Sequence, residues 1–266
     1  MGQKLGNLER QLLAYTQLRN LKELRTGEIA EALRISRKQE RELFNRMTDK
    51  GLIAQVRRGL YIVPSRLPLA SKWSPSEILV INTIMNDVQG TYQICGPNAF
   101  YKYGFIEQVP IKTYIYNDKI SEERTVGSVF LKLIKVDERR LGGTEEMMRD
   151  SEFKAIYSSL VRTLVDGVYD WSRFNSLPKT YHWIESSIAS GKVDPQELVT
   201  LTLRFGNLGT IRRIGALLDR LSIEEKLLKK LERKLTTSRS LIPWIPTKPK
   251  IGTGDKRWGI VWNDDE

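Results

Sequence analysis

Between Thr26 and Gly51 the chain has room for two short helices and almost nothing between them, and this spacing restricts the fold more than any other stretch. Residues 26–33 open on Thr26 as an N-cap and carry Ile29, Ala30 and Leu33 on one face. Ser36-Arg37-Lys38-Gln39 then has the form of a capping box, which sets where a second helix begins. That helix keeps Leu43, Phe44 and Met47 inward and meets Gly51, a residue suited to the position just past a helix C-terminus. Two helices joined by so short a turn make a helix-turn-helix. Leu8, Leu12, Leu13 and Leu18 predict a further helix ahead of them.

The residues after Gly51 extend the motif. Leu52-Ile53-Ala54-Gln55-Val56 and Leu60-Tyr61-Ile62-Val63 are β-prone runs on either side of Arg57-Arg58-Gly59, so a hairpin with a basic tip is expected, the wing of a winged helix. Charge concentrates in the same place: residues 1–66 hold 14 Lys and Arg against 7 Asp and Glu, in a chain whose net charge is +11. A double-stranded DNA partner is therefore expected. The start of the helix at Ser36 would enter the major groove, bringing Ser36, Arg37, Lys38, Gln39 and Arg41 to base edges and phosphates, while Arg57 and Arg58 grip the adjacent backbone or minor groove. Two alternatives stay open. The same side chains can be an ordinary solvated helix face, and winged helices also serve as protein-protein modules. Gln39 has a competing role as the reciprocal half of the capping box.

The remainder reads as a second domain. A chain of 266 residues exceeds what one compact core usually needs, and Pro64-Ser65-Arg66-Leu67-Pro68 interrupts both helical and strand patterns. The expected division is a winged helix-turn-helix at residues 1–66, a linker at 67–73 and a C-terminal domain at 74–266. Ser74-Pro75-Ser76-Glu77 reads as a capping box with Ser74 as N-cap. Residues 113–116 and 128–136 read as strands. From Glu152 onward helices dominate, with Ile156, Leu160, Leu164 and Val168 on one face and Asp194-Pro195-Gln196-Glu197 starting another helix. Residues 258–262 predict a last strand. The fold class is α+β, with the winged helix-turn-helix followed by a mixed α/β domain rich in helices. Four Lys and one Arg among residues 223–235 make a basic amphipathic helix, a solvated face by default, with a second nucleic-acid contact or a self-association seam as alternatives.

Several function classes are disfavoured. With one cysteine, Cys95, and one histidine, His182, neither an internal disulfide nor a nitrogen- or sulfur-based metal site can be built, so no cofactor and no metal is expected. His182 reads as a packed or surface residue. No phosphate-cradling glycine loop or nucleophile elbow occurs. Asp137 with Glu152-Phe153-Lys154 echoes the D…E-x-K arrangement of metal-dependent nucleases, but Glu152 to Lys154 read as the opening of a helix, where such residues normally lie on a strand. Asp166-Gly167 reads as a helix end. No enzyme activity is expected. No signal-peptide pattern and no run near ~20 apolar residues is present, so a cytoplasmic location without a membrane partner is expected.

The order of segments carries a resemblance. Arg58-Gly59-Leu60-Tyr61-Ile62-Val63-Pro64, then Tyr92-Gln93-Ile94-Cys95-Gly96-Pro97-Asn98-Ala99-Phe100, Tyr103-Gly104-Phe105 with Val109-Pro110, Glu152, Arg162-Thr163-Leu164-Val165-Asp166-Gly167, and Trp258-Gly259-Ile260-Val261-Trp262-Asn263 resemble AbiEi-type antitoxins over nearly the whole chain. That resemblance implies a protein that represses its own operon through the winged helix. It also implies a C-terminal domain that counteracts a co-encoded nucleotidyltransferase-like toxin without a stable complex, in systems tied to phage resistance.

Overall fold

A computed structural model describes residues 5–65, 73–148, 153–235 and 240–264. The chain opens with α1 (Asn7–Leu18), β1 (Glu23–Arg25), α2 (Glu28–Ala32), α3 (Arg37–Asp49), β2 (Ala54–Arg57) and β3 (Leu60–Ile62). Leu12 and Leu13 of α1 are buried, whereas Leu18, expected inward, is 86% exposed. Six positions after Leu12, it lies about 120° around the helix from that stripe. Helix α2 begins one residue later than expected, with Gly27 as N-cap. Helix α3 has Ser36 at its N-cap, as its capping box predicts. Past its C-terminus, Gly51 N–H donates to Thr48 O and Leu52 N–H to Met47 O, which satisfies two of the helix's last carbonyls.

The three strands form one antiparallel sheet in the order β1-β3-β2. Its two faces do different things. Leu24 and Tyr61 turn toward the helices and share a core with Leu12, Leu13, Ile29, Leu43, Phe44 and Met47. Ala54, Val56, Leu60 and Ile62 belong instead to a second core that continues into the rest of the chain.

That continuation starts with α4 (Glu77–Val88). Ser76, not Ser74, caps it, accepting from Leu79 N–H at 3.3 Å. Ser74 is diverted to Ser128, bonding its hydroxyl at 2.5 Å and its N–H at 3.1 Å. The linker expected at residues 67–73 falls outside the described residues except for Trp73, whose N–H donates to Gly51 O at 2.9 Å. There follow β4 (Tyr92–Ile94), α5 (Gly96–Lys102), β5 (Lys112–Asn117), β6 (Glu122–Val126), β7 (Val129–Lys135), β8 (Thr144–Met148) and β9 (Lys154–Ser158). They make a mixed six-stranded sheet in the order β6-β7-β5-β4-β9-β8. Ile78, Ile81 and Ile84 of α4 lie between this sheet's Ile94, Ile115, Leu131 and Leu133 and the outer face of the N-terminal sheet in one apolar core. Strand β9 corrects the expected helix at this point. Ala155 and Tyr157 are buried while Lys154 is exposed and Ile156 half-buried, the alternation of a strand. Glu152 lies outside the described residues.

Helices then dominate: α6 (Leu160–Tyr169), α7 (Trp171–Phe174), α8 (Lys179–Ala189), α9 (Pro195–Phe205), α10 (Leu208–Arg220) and α11 (Glu225–Glu232), with a small sheet of β10 (Ile242–Pro243), β11 (Thr253–Asp255) and β12 (Ile260–Trp262). Asp194 caps α9 through Gln196 N–H, as its sequence predicts. Asp166 and Gly167, read as a helix end, lie in the last turn of α6. A Cβ on Gly167 would stand 2.7 Å from Thr180 Oγ1 of α8, so this glycine permits a close helix approach. The protein is a mixed α+β chain, with 11 α-helices and 12 strands among the described residues. No helix among those residues is long and apolar enough to cross a membrane.

Candidate nucleic-acid interface

The first turn of α3 is set from both ends of its capping box. Ser36 Oγ accepts from Gln39 N–H at 3.2 Å, and Gln39 Oε1 accepts from Ser36 N–H at 2.8 Å. Gln39, expected among the base-contacting residues, is thus engaged through its carbonyl oxygen in the cap. Ser36, Arg37, Lys38, Gln39 and Arg41 are all exposed. The next residue, Glu40, is fully buried and works on the other helix. Its carboxylate accepts from the N–H groups of Gly27, Ile29 and Ala30 at 2.8 to 3.1 Å. A carboxylate there satisfies the orphan donors of α2 and complements the positive end of its dipole.

This arrangement joins the start of α3 to the β2–β3 turn. Gly27 has φ 108°, a backbone conformation that favours glycine. The Arg37 guanidinium lies across it, so that a Cβ would stand 2.2 Å from Nη1. The preceding N–H, from Thr26, donates to Gly59 O at 3.0 Å. The basic hairpin tip, the start of α2 and the first residue of α3 therefore touch in sequence along one edge of the molecule.

The two hairpin arginines, expected to act alike, are placed differently. A bulge between Gln55 and Arg57 sets Arg57 opposite Leu60, on the face that meets α4. There Arg57 Nε and Nη2 donate to the two carboxylate oxygens of Asp87 at 2.5 and 2.6 Å, and Nη1 donates to Arg58 O at 2.9 Å. Arg25 Nη1 joins them, donating to Asp87 Oδ1 at 3.1 Å. The hydrogen bonds from Arg57 hold the Asp87 carboxyl below the usual aspartate range, and the same contact raises the Arg57 guanidinium. Arg58 is exposed. Arg37, Lys38, Arg41 and Arg58 are thus exposed, while Arg57 is tied to α4.

Glu40, Arg25 and Asp87 were not singled out from sequence. Glu40 had a visible signal, because it falls three and four positions before Leu43 and Phe44 and so on the buried face. Asp87 had a weaker one, an acid in the last turn of a helix, where the dipole opposes it. Arg25 had none.

A second charged cluster lies inside the C-terminal part. Asp166 is fully buried, held by Arg162 Nε at 3.0 Å and Arg140 Nη2 at 2.8 Å. Arg162 also donates to Gly142 O at 3.0 Å and Arg140 O at 2.7 Å, tying α6 to the loop before β8. Each charge meets an opposite charge and hydrogen-bond partners, the pattern of a structural network. Beside it, burial pushes up both the Tyr116 hydroxyl and the Cys95 thiol. Of the nuclease-like residues, Glu152 lies outside the described residues, and Asp137 and Lys154 are not brought together. Asp137 accepts from Arg139 N–H, Lys154 pairs with Glu146 at 2.7 Å, and β5 and β4 separate β7 from β9. Lys154 does lie on a strand, contrary to the expected helix, so separation in the sheet is what keeps it from Asp137. His182 is on the surface, 3.9 Å from Glu185. Among the described residues no group of three or more His, Cys, Asp and Glu is arranged to hold a metal ion. In α11, Leu227, Leu228 and Leu231 are buried, and Arg257 pairs with the half-exposed Glu225 and Glu232.

No family model matches the sequence, and no curated protein does. The chain is similar in structure to the crystal structure of the RV2827C protein from Mycobacterium tuberculosis, with a TM-score of 0.59 at 11% sequence identity over 97% of this chain and 92% of that one. A likeness at that identity establishes a shared fold across nearly the full length, and nothing about chemistry.

Proposed function

We propose that the chain is a sequence-recognising double-stranded DNA-binding protein, its N-terminal residues a winged helix-turn-helix with α3 as recognition helix and β2–β3 as wing. The observation that carries this is the contact series Gly59, Thr26, Gly27, Arg37, which brings the basic hairpin tip beside the exposed first turn of α3. A helix start and a basic hairpin on one edge suit a major groove and its flanking phosphates. Arg37, Lys38 and Arg41 read bases and phosphates, and Arg58 contacts the backbone. We further propose, on the strength of the resemblance to AbiEi-type antitoxins, that the protein acts in the cytoplasm as an autorepressor. In this role the C-terminal part counteracts a nucleotidyltransferase-like toxin without a stable complex.

The test is fluorescence anisotropy with duplex from upstream of its own gene and with random duplex, over a range of salt. Affinity should fall steeply with salt, and Arg58→Glu should reduce the slope by about 0.9 for its lost phosphate contact on both duplexes. Replacing Arg37 or Lys38 by Ala should cost more on the upstream duplex than on the random one. Absence of salt-dependent binding to either duplex sinks the DNA assignment. The antitoxin role is tested separately, by co-expression with a nucleotidyltransferase-like neighbour gene and scoring growth.

A further inference from the structure

Arg25 and Arg57 lie on the two outer strands of the N-terminal sheet, both paired in register with Leu60 of the central strand, and their guanidiniums converge on one carboxylate. We propose that Arg25 and Arg57 form a phosphodiester-binding site beside the wing, and that Asp87 occupies it in the free protein where a DNA phosphate sits in the complex. The assignment rests on the DNA-binding role proposed above. It adds Arg25 to the interface and gives Asp87 the part of an internal competitor.

Three features support it. The fork formed by Nε and Nη2 of Arg57, bonded to both Asp87 oxygens, is the one a guanidinium offers equally to carboxylate and to phosphate. Access favours exchange: the Arg25 and Arg57 side chains are 47% and 44% exposed while that of Asp87 is 11% exposed, so the acid lies beneath and the arginine heads face solvent. The acid is also misplaced for its own helix, since the last turn of α4 carries the negative end of the dipole. Two arginines from the N-terminal sheet offset that cost, and Asp87 in turn holds them beside Arg58. A phosphate arriving at the wing must displace the carboxylate, so Asp87 raises the threshold for duplexes that α3 does not also fit.

The experiment is salt-dependent anisotropy on random duplex with the full chain carrying Asp87→Asn, with and without the pair Arg25→Gln and Arg57→Ala, and with Arg25→Gln alone. Asp87→Asn should tighten binding several-fold and steepen the salt slope by about 0.9 for each arginine released. The gain should vanish in the background that lacks both arginines, as coupling through those two side chains requires. A gain that survives there reports only the removal of a negative charge and overturns the proposal, as does an Asp87→Asn chain that binds like wild type or more weakly. Should Asp87→Asn fail to fold by tryptophan fluorescence, Arg25→Gln decides: a shallower slope supports the site and an unchanged slope overturns it. If neither wild type nor Asp87→Asn binds duplex at low salt, the DNA-binding role falls and this site with it. Wild-type binding through α3 with no effect of any of these variants removes this site alone.

Discussion

One buried carboxylate, on Glu40, satisfies backbone donors at the start of α2 from a neighbouring helix, so its removal acts on two elements together. Glu40→Ala leaves Gly27, Ile29 and Ala30 N–H without their acceptor. Each unsatisfied buried donor costs about 1–3 kcal/mol before relaxation, so urea unfolding should show a loss of about 3 kcal/mol. Glu40→Gln keeps an acceptor and should lose less. Unchanged stability for Glu40→Ala would mean that α2 is held by packing alone. Asp87 supplies a pH signature. Its folded carboxyl is held below the usual range, chiefly by the hydrogen bonds from Arg57, so its contribution is fully present above the unfolded aspartate pKa of about 3.9 and is lost as pH falls through the lower folded value. The stability difference between wild type and Asp87→Asn should hold constant from neutrality down to about pH 4 and shrink below it. Thermal melts across that range check the sign, and a difference that widens toward acid contradicts the ion pair.

Helix α3 was legible because everything that defines it is local. Ser36 and Gln39 form both halves of the cap, and Gly51 lies just past its C-terminus. The cap also decides what Gln39 does. Gln39→Ala should lower the melting temperature, at a cost of about 1 kcal/mol, and weaken upstream and random duplex together. A loss confined to the upstream duplex would return Gln39 to base reading. Elements that depend on distant partners were not legible. Strand β1 has three residues, one apolar between two charged, and exists because β3 supplies its hydrogen bonds. Ile156, Leu160, Leu164 and Val168 keep a four-residue spacing that runs across a strand-to-helix junction, and so imitate a single helix. The cap of α4 moved two residues because Ser74 bonds a serine 54 positions away. The interface divides the same way. Exposure of Arg37, Lys38 and Arg41 is dictated by the register that Ser36 sets. The tie between Arg57 and Asp87 spans 30 positions, and that between Arg25 and Asp87 spans 62, so no local pattern announces either.

Across the whole molecule, the apolar core ignores the division suggested by the proline-rich segment after residue 63. Leu60, fully buried, shares a core with α4 and the six-stranded sheet. Leu60→Ala should therefore cost about 2–5 kcal/mol and do so for both parts at once. Five of the six tryptophans lie at residue 171 or later, and the sixth, Trp73, bonds Gly51 at the seam, so their fluorescence reports chiefly the C-terminal part. A shift of the tryptophan-detected transition in Leu60→Ala checks the coupling, and an unshifted one means that the parts unfold independently. A chain begun at residue 74 would bare Ile78, Ile81 and Ile84 along that seam, so a test of the isolated C-terminal part must first establish that it is folded. Cys95, the lone thiol, sits with no exposure beside Tyr116 and Ile134. Burial pushes that thiol up, so little thiolate forms at neutral pH. To an alkylating reagent the folded protein is therefore effectively cysteine-free. A cysteine placed at Lys38 or Arg58 would be the one fast-labelling position for a dye, and the residual slow reaction at Cys95 would time the opening of the sheet around it.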